Sequence, residues 1–443
     1  MKKIKTFLYT IIFVPVLLLT LTCSDDIFYT ISREVPLIPP LIKGSPTNFI
    51  DYNGKMYVAS ERSLWDYDYL NSKKWNHIKF DDHIVQLAAT SYHMYMLCLV
   101  DSEKDTVRKI YQSTGVGGED VIKLPSEAGE FNIPQSIYTV KDVLYIGTQK
   151  NDNSNEFNVI KFNVDGTGET LLPQDNNKDA ILYGVASDGE TTFLCTGNGI
   201  FAVENGETKG KLIDSNGFRG IITLPDDKSV VAIANNGTLS RIDNISVCKN
   251  DDCKKEFGAG ILVCPVCSGV TAKKQILTRI TAITDRWASG AIAIWEDKDD
   301  PSQKLLLVGR RETEYSSTSG NTNGYLEMKF YENTGSIIDY ACNDCKKYFL
   351  TCDIPKDDLD VMKCPECGGA LSKINNTFHE PGRGTPTTVA DNERYISSIG
   401  KVPINYIYQS PVPDRVLFAA TQKEGVWSYR KREGGEMWNS ETQ

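Results

Sequence analysis

Histidine is nearly missing from this chain: His77, His83, His93 and His379 are all there is among 443 residues. None lies in the spacing of a metal-ligand or nucleophile motif, so imidazole chemistry has no obvious place. No Gly-x-Ser-x-Gly elbow, phosphate-cradling loop or dinucleotide fingerprint occurs either. Positive charge is also in short supply. The 48 Lys and Arg stand against 58 Asp and Glu, a net charge of −10, which argues against a general nucleic-acid or anionic-membrane surface. Amphipathic helical periodicity is absent beyond the first segment, and the one long apolar run is Phe7 to Leu21. That run is shorter than the roughly 20 apolar residues that span a bilayer. On these absences no catalytic residue is assigned, and the chain is expected not to be an enzyme.

What the chain has in quantity is tyrosine (21) and glycine (34), a pairing that suits many strands joined by tight turns. A unit of apolar strand, turn and second strand recurs seven times. Its copies begin near Asn53, Met94, Val143, Thr192, Ser229, Leu305 and Val416. The first five are about 40–50 residues apart, the period of four-stranded propeller blades. Asn53-Gly54, Asp188-Gly189, Asn198-Gly199 and Asn236-Gly237 supply residues that take positive φ cheaply. Lys74-Trp75-Asn76 near the start is mirrored by Met437-Trp438-Asn439 near the end. The pattern predicts an all-β chain folded as a β-propeller of about seven blades over residues 47–443. Ring closure would remove exposed pairing edges; a β-sandwich pair or a β-helix is the competing architecture.

The N-terminus has a basic head, Lys2-Lys3-Ile4-Lys5, then the apolar run, then Thr22-Cys23 followed by Ser24-Asp25-Asp26. This order reads as a secretory signal over residues 1–22. Leu19-Thr20-Leu21-Thr22-Cys23 resembles a relaxed bacterial lipobox of the spirochaete type, which implies cleavage before Cys23 and lipid attached to it. The leucine four residues before the cysteine and the Thr22 depart from the strict pattern. Residues 23–46 carry Pro36, Pro39, Pro40 and Pro46 and read as an extended tether. The resemblance implies an exported lipoprotein, periplasmic or on the cell surface.

Eight cysteines form two groups of four that interrupt the repeat. Cys342, Cys345, Cys364 and Cys367 have the spacing of a zinc ribbon, with two Cys-x2-Cys tips able to surround one Zn²⁺. The Cys364-Pro365-Glu366-Cys367-Gly368-Gly369 half resembles the rubredoxin-like knuckles of zinc-ribbon proteins. Cys248, Cys253, Cys264 and Cys267 form a variant with a Cys-x4-Cys leading half. Both groups follow the third strand of a copy, so insertions at 246–270 and 340–370 are expected on one rim of neighbouring blades. Two structural zinc ions are the expected cofactors. Disulfides, which exported cysteines ordinarily form, and a redox pair are the alternatives. Cys98 and Cys195 lie inside apolar strands and read as packing residues, and Cys352 is left over. Asn151 to Glu156 is oxygen-rich but lacks the glycine and spacing of a calcium loop, and reads as a solvated hairpin tip.

Two functions fit. The first is a membrane-anchored scaffold presenting the ring to an envelope protein or polymer. The second is a hydrolase or lyase acting on glycan, peptide or ester, with carboxylates from several blades at the central funnel. Carboxylates converging there would favour the enzyme; apolar and amide side chains would favour binding.

Overall fold

A computed structural model of the chain describes residues 41–101, 106–113, 119–151, 154–163, 167–172, 178–226, 228–258, 261–283, 288–310, 325–331, 335–379, 403–432 and 435–441. The signal segment, Cys23 and the tether up to residue 40 lie outside these, as do Asp152 and Asn153 of the oxygen-rich tip. Among the described residues, successive antiparallel sheets span 50–79, 83–121, 133–170, 182–214, 218–282, 288–329 and 404–440. These are blades 1 to 7 of a β-propeller. The first strands of neighbouring blades adjoin one another from Ile50–Tyr52 round to Ile404–Gln409. Each blade therefore runs from an inner strand a at the axis to an outer strand d. In blade 6 the d position is marked by His379, whose backbone pairs with Glu327 in both directions (2.8 and 2.9 Å).

The second strands explain why the repeat was visible. A blade is covered on both faces, so its middle strands bury successive residues rather than alternate ones. Val230–Ala234 and Leu417–Thr421 are buried throughout. Their side chains form apolar clusters shared by adjacent blades. Tyr57 and Leu64 of blade 1 meet Ile84 and Met96 of blade 2, and Leu306 and Met328 of blade 6 meet Val231 and Leu239 of blade 5. Each fully buried aliphatic or aromatic side chain stabilises the fold by roughly 1.5–3 kcal/mol.

Side-chain amides bridge the inner strands. The Gln86 amide donates to the Ile137 carbonyl at 2.7 Å and accepts the Ile137 N–H at 3.0 Å. Gln409 does the same with Glu296 (2.7 and 2.9 Å), and Asn48 with Leu87 (2.7 and 2.9 Å). Each amide copies a peptide group and satisfies both polar atoms of a neighbouring strand that has no ladder partner there.

The ring closes between blades 7 and 1. Blade 7 draws its four strands from 404–440. The segment just before blade 1 is clasped to it by Leu41 N–H to Glu441 O (2.7 Å), Gly425 N–H to Gly44 O (3.0 Å) and Val426 N–H to Ile42 O (3.3 Å). Ile42 is buried in the shared core with Tyr67 and Phe418. Polar side chains cross the same seam, among them Tyr67 OH to Asp414 Oδ2 (3.0 Å), Lys73 Nζ to Asp414 Oδ1 (3.0 Å) and Trp75 Nε1 to Glu441 Oε2 (2.8 Å). Asn53-Gly54 has both residues at positive φ (50° and 72°), the hairpin turn its sequence calls for.

Candidate metal centres

The second cysteine group sits on a three-stranded ribbon. Tyr340–Cys342 is paired on one side by Tyr348–Phe349 and on the other by Leu371–Lys373. After Cys345 the chain reverses through Lys346 at φ 58°, whose N–H bonds the Cys342 carbonyl at 3.1 Å. After Cys367 it reverses through Gly368 at φ 71°, whose N–H bonds the Cys364 carbonyl at 2.9 Å. These tight turns aim both pairs of thiols at one point. Sγ of Cys342 and Cys367 are 3.5 Å apart, those of Cys345 and Cys364 are 3.7 Å apart, and all four lie within 4.8 Å of one another. A disulfide would need about 2.05 Å. A tetrahedron of thiolates at about 2.3 Å from Zn²⁺ has edges of about 3.8 Å. The donor set fits a closed four-thiolate metal site.

The first group builds the same ribbon on different residues. The end of the long strand Thr238–Cys248 is flanked by Glu256–Phe257 and by the start of Thr271–Ala282. Strand registers make Cys248, Cys253, Cys264 and Cys267 the counterparts of Cys342, Cys345, Cys364 and Cys367. Isolated bridges Val263–Val270 and Lys363–Ala370 mark the same point of each trailing knuckle. The Cys-x4-Cys half fits because Asn250 gathers the extra residues: its carbonyl accepts the N–H of Cys253 and of Lys254 (both 3.0 Å). Lys254 and Ser268 then take positive φ (43° and 57°) as Lys346 and Gly368 do. The Sγ separations are 3.4 Å for Cys248–Cys267 and 3.7 Å for Cys253–Cys264. The longer gap of the second ribbon is filled by the 3-10 turn Thr351–Asp353 and the short helix Lys356–Asp360.

Each tetrad holds one thiol ready to ionise. Burial would raise Cys264, but the backbone N–H groups of Cys267 and Val266 together with the Cys267 and Cys253 thiols bring it down to about 7. The N–H of Cys345 brings Cys342 to about 7 against burial. Cys248 and Cys345 are pushed up to about 12, in spite of N–H groups from Asn250 and Lys255's counterpart Lys347 respectively, by burial and by the neighbouring sulfurs. A divalent cation at the centre would favour thiolate at all four sulfurs and release their protons.

Both ribbons are mounted between strands c and d, in blades 5 and 6, and they lean on each other. Gly258 of the first approaches the backbone of Cys352 and Asp353 of the second closely enough that an added Cβ would lie 3.2 Å from both. Arg241, fully buried on strand c of blade 5, ties them to the ring. Its guanidinium takes Asp243 with two bonds (Nε 2.5 Å, Nη2 3.0 Å), and it reaches Asp339 Oδ2 at 2.7 Å and the Ile337 carbonyl at 2.7 Å. Asp339 also accepts Thr351 N–H and Oγ1 (2.8 and 2.9 Å). Burial alone would raise Asp339; Arg241 and Thr351 hold it below the ordinary carboxylate range. Cys352 lies beside this network, and burial followed by the Asp243 charge pushes its thiol up to about 12.

No known protein family and no curated protein matches the sequence. Among solved structures, YCF48 bound to D1 peptide is similar with a TM-score of 0.42 and 10% identity, over 90% of this chain and 96% of that one. YCF48 from Cyanidioschyzon merolae gives 0.42 and 9%, over 88% and 96%. A nidogen/laminin complex gives 0.33 and 12%, over 46% and 75%. The propeller assignment rests on the sheet order and the closed ring described above.

The other residues singled out in the sequence stand apart. His77 shares a hydrogen bond with Ser63 at 3.0 Å and lies against Trp65 on blade 1. His93 packs on Tyr95 in blade 2, and His379 bonds Thr377 Oγ1 at 3.0 Å beside blade 6. Cys98 and Cys195 are fully buried, and burial pushes both thiols up. At the axis the inner strands of blades 2, 3, 4, 5 and 7 each carry a one-residue bulge, at Val85, Gln135, Tyr183, Arg219 and Asn405. The Arg219 guanidinium lies over the Tyr183 ring at 5.8 Å. Burial, with Tyr406, Cys195 and Tyr183 nearby, raises Tyr138. Tyr138 and Tyr406 lie on the inner strands of blades 3 and 7. Among the described residues, groups of three or more His, Cys, Asp or Glu within 4.8 Å are the two cysteine tetrads alone. No described helix is long and apolar enough to cross a membrane.

Proposed function

We propose that this chain is a lipid-anchored β-propeller of the cell envelope that works as a protein-binding scaffold, with structural zinc in both ribbons. The carrying observation is the pair of closed cysteine tetrads at the same connection of adjacent blades. Four thiolates leave no open position for water or substrate, so the metal stiffens a rim and does no chemistry. Zinc also answers the oxidising surroundings of an exported chain, because a metal-bound thiolate is withheld from disulfide exchange. Cys248, Cys253, Cys264 and Cys267 would hold one ion, and Cys342, Cys345, Cys364 and Cys367 the other. The tyrosines and amides at the axis support binding over hydrolysis. Lipid on Cys23 would hold the body at a membrane.

The test is metal content and N-terminal mass. Full chain purified from a bacterial envelope is expected to carry about two zinc per chain and a diacylated Cys23, and Cys23→Ser should leave the precursor uncleaved. Absence of zinc together with eight oxidised cysteines would overturn the metal assignment. An unmodified, unprocessed Cys23 in the envelope-purified chain would overturn the anchor.

A further inference from the structure

The two ribbons share one topology inside one chain, so each serves as the control for the other. In the first ribbon Leu262 is 80% exposed, Val270 65%, Val263 58% and Val266 56%. The strand bridges equate these with Met362, Ala370, Lys363 and Glu366 of the second ribbon. There Glu366 makes an ion pair with Lys347, and Met362 is 37% exposed against 80% for Leu262. The ribbon fold therefore tolerates a polar knuckle, and the aliphatic one is not demanded by packing. Four exposed aliphatic side chains carried by one knuckle, two of them on bridged residues, mark a contact surface.

The surrounding charge says what fits. Asp251 is taken by Lys254, and Glu256 by Lys274. Among the described residues no ion pair involves Lys249 or Lys255, both exposed, which leaves two cations against Asp252. Lys249 adjoins the patch directly, its N–H bonding the Val270 carbonyl at 2.9 Å. A second copy docking patch to patch would set these lysines against themselves. Direction matters as well. Residues 243–248 of the long strand run past the last residue paired with strand b, Ile242, carrying the tip roughly 20 Å beyond the blade. They leave from the c–d rim. The segment 41–44 meets Glu424 in a b–c turn, on the opposite rim. The patch faces away from the side on which the N-terminal segment arrives.

We infer that the first ribbon's knuckle is a docking site for a polypeptide segment that carries aliphatic side chains interleaved with carboxylates. This rests on the scaffold reading and names its contact. The site is small, so it suits a short segment held weakly or one of several contacts.

The probe is a pair of synthetic twelve-residue peptides, one alternating Leu with Asp and one alternating Leu with Lys. They are offered to the chain from Ser24 onward, which contains every described strand and both ribbons. Binding of the Asp peptide at least tenfold tighter than the Lys peptide is expected. The variant Val263→Lys, Val266→Glu, Val270→Ala, which copies the second ribbon, should lose at least tenfold for the Asp peptide while keeping its zinc. Equal binding of both peptides, or unchanged binding by the variant, would sink the docking site. Patch-dependent binding to phosphatidylglycerol vesicles in place of peptide would also overturn it, in favour of a membrane contact. Loss of zinc from the unaltered chain would point instead to failure of the scaffold reading itself.

Discussion

Arg241→Met should be among the most damaging single substitutions in the molecule. The guanidinium is inaccessible, and the side chains of its two carboxylate partners are 2% (Asp243) and 11% (Asp339) exposed. Methionine fills the volume and removes the charge, which leaves two carboxylates in a site that cannot hydrate them. Removing one partner of a buried ion pair costs about 3–5 kcal/mol. Asp339 keeps its bonds from Thr351, whereas Asp243 loses both of its arginine bonds, so the low end, about 3 kcal/mol, is expected. The pH dependence follows from direction. Asp339 is lowered in the folded chain, so the stabilisation by Arg241 is complete above the ordinary carboxylate range and is lost as pH falls through the lower, folded value. In the variant, burial acts on Asp339 with only the Thr351 bonds against it and no guanidinium charge, which favours the protonated form relative to the parent. The deficit should then be largest at neutral pH and shrink towards pH 4. Urea unfolding followed by tryptophan fluorescence at several pH values measures both effects. Arg241→Met combined with Asp243→Asn and Asp339→Asn should recover at least half of the loss, since a neutral replacement of a buried pair is often near neutral in stability. A single variant within about 1 kcal/mol of the parent, or a deficit that does not shrink on acidification, would refute the reasoning.

Phe418→Ala should cost about 3–5 kcal/mol by emptying the seam where Phe418 meets Tyr67 and Trp75, and limited proteolysis should then cut first near residues 41–46. Cys267→Ser and Cys367→Ser should each lower bound zinc from about two to about one per chain, read by elemental mass spectrometry; unchanged content would exclude that sulfur as a ligand. Ser268 holds the positive φ that Gly368 takes in the other ribbon. Ser268→Gly should therefore stabilise the first ribbon, and Gly368→Ser destabilise the second, by about 1 kcal/mol each, measured as shifts in the midpoint of chelator-driven zinc release.

The seven repeats legible in the sequence are strands b and c of the seven blades. Met94 to Cys98 lies in Met94–Asp101, and Val416 to Thr421 contains Leu417–Thr421. These strands are sandwiched on both faces, so burial wrote continuous apolar runs into them. The mirrored tryptophans were a sound signal as well: Trp75 pairs with Tyr67 and Trp438 with Tyr429, at the same place in blades 1 and 7. The inner strands were not legible. A bulge at Gln135 or Arg219 breaks the period of two, and the axis asks for amides and phenols, not a uniform apolar face. The cysteine tetrads were readable because thiolate geometry restricts their spacing. Their mounting was not. Arg241 and Asp243 lie on strand c of blade 5 and Asp339 just before the second insertion, nearly a hundred residues away, and a lone arginine in a strand gives no hint of its partners. The carboxylate-lined funnel considered from the sequence also had no spacing to test, because strand registers, not sequence distance, decide which side chains reach the axis.

The clasp of residues 41–44 on blade 7 has a mechanical meaning. Tension arriving along the chain from its N-terminal side reaches Leu41 first, and its bond to Glu441, then the contacts of Ile42 and Gly44 with Val426 and Gly425. The load passes into the last blade before it reaches the first, so a pull draws the two ends of the ring against each other at their shared core. A seam built in this way is a fuse. Below its breaking force the ring behaves as one stiff body, and above it the ring opens at a single defined place between blades 7 and 1, while blades 5 and 6, which bear the ribbons, have no part in the broken seam.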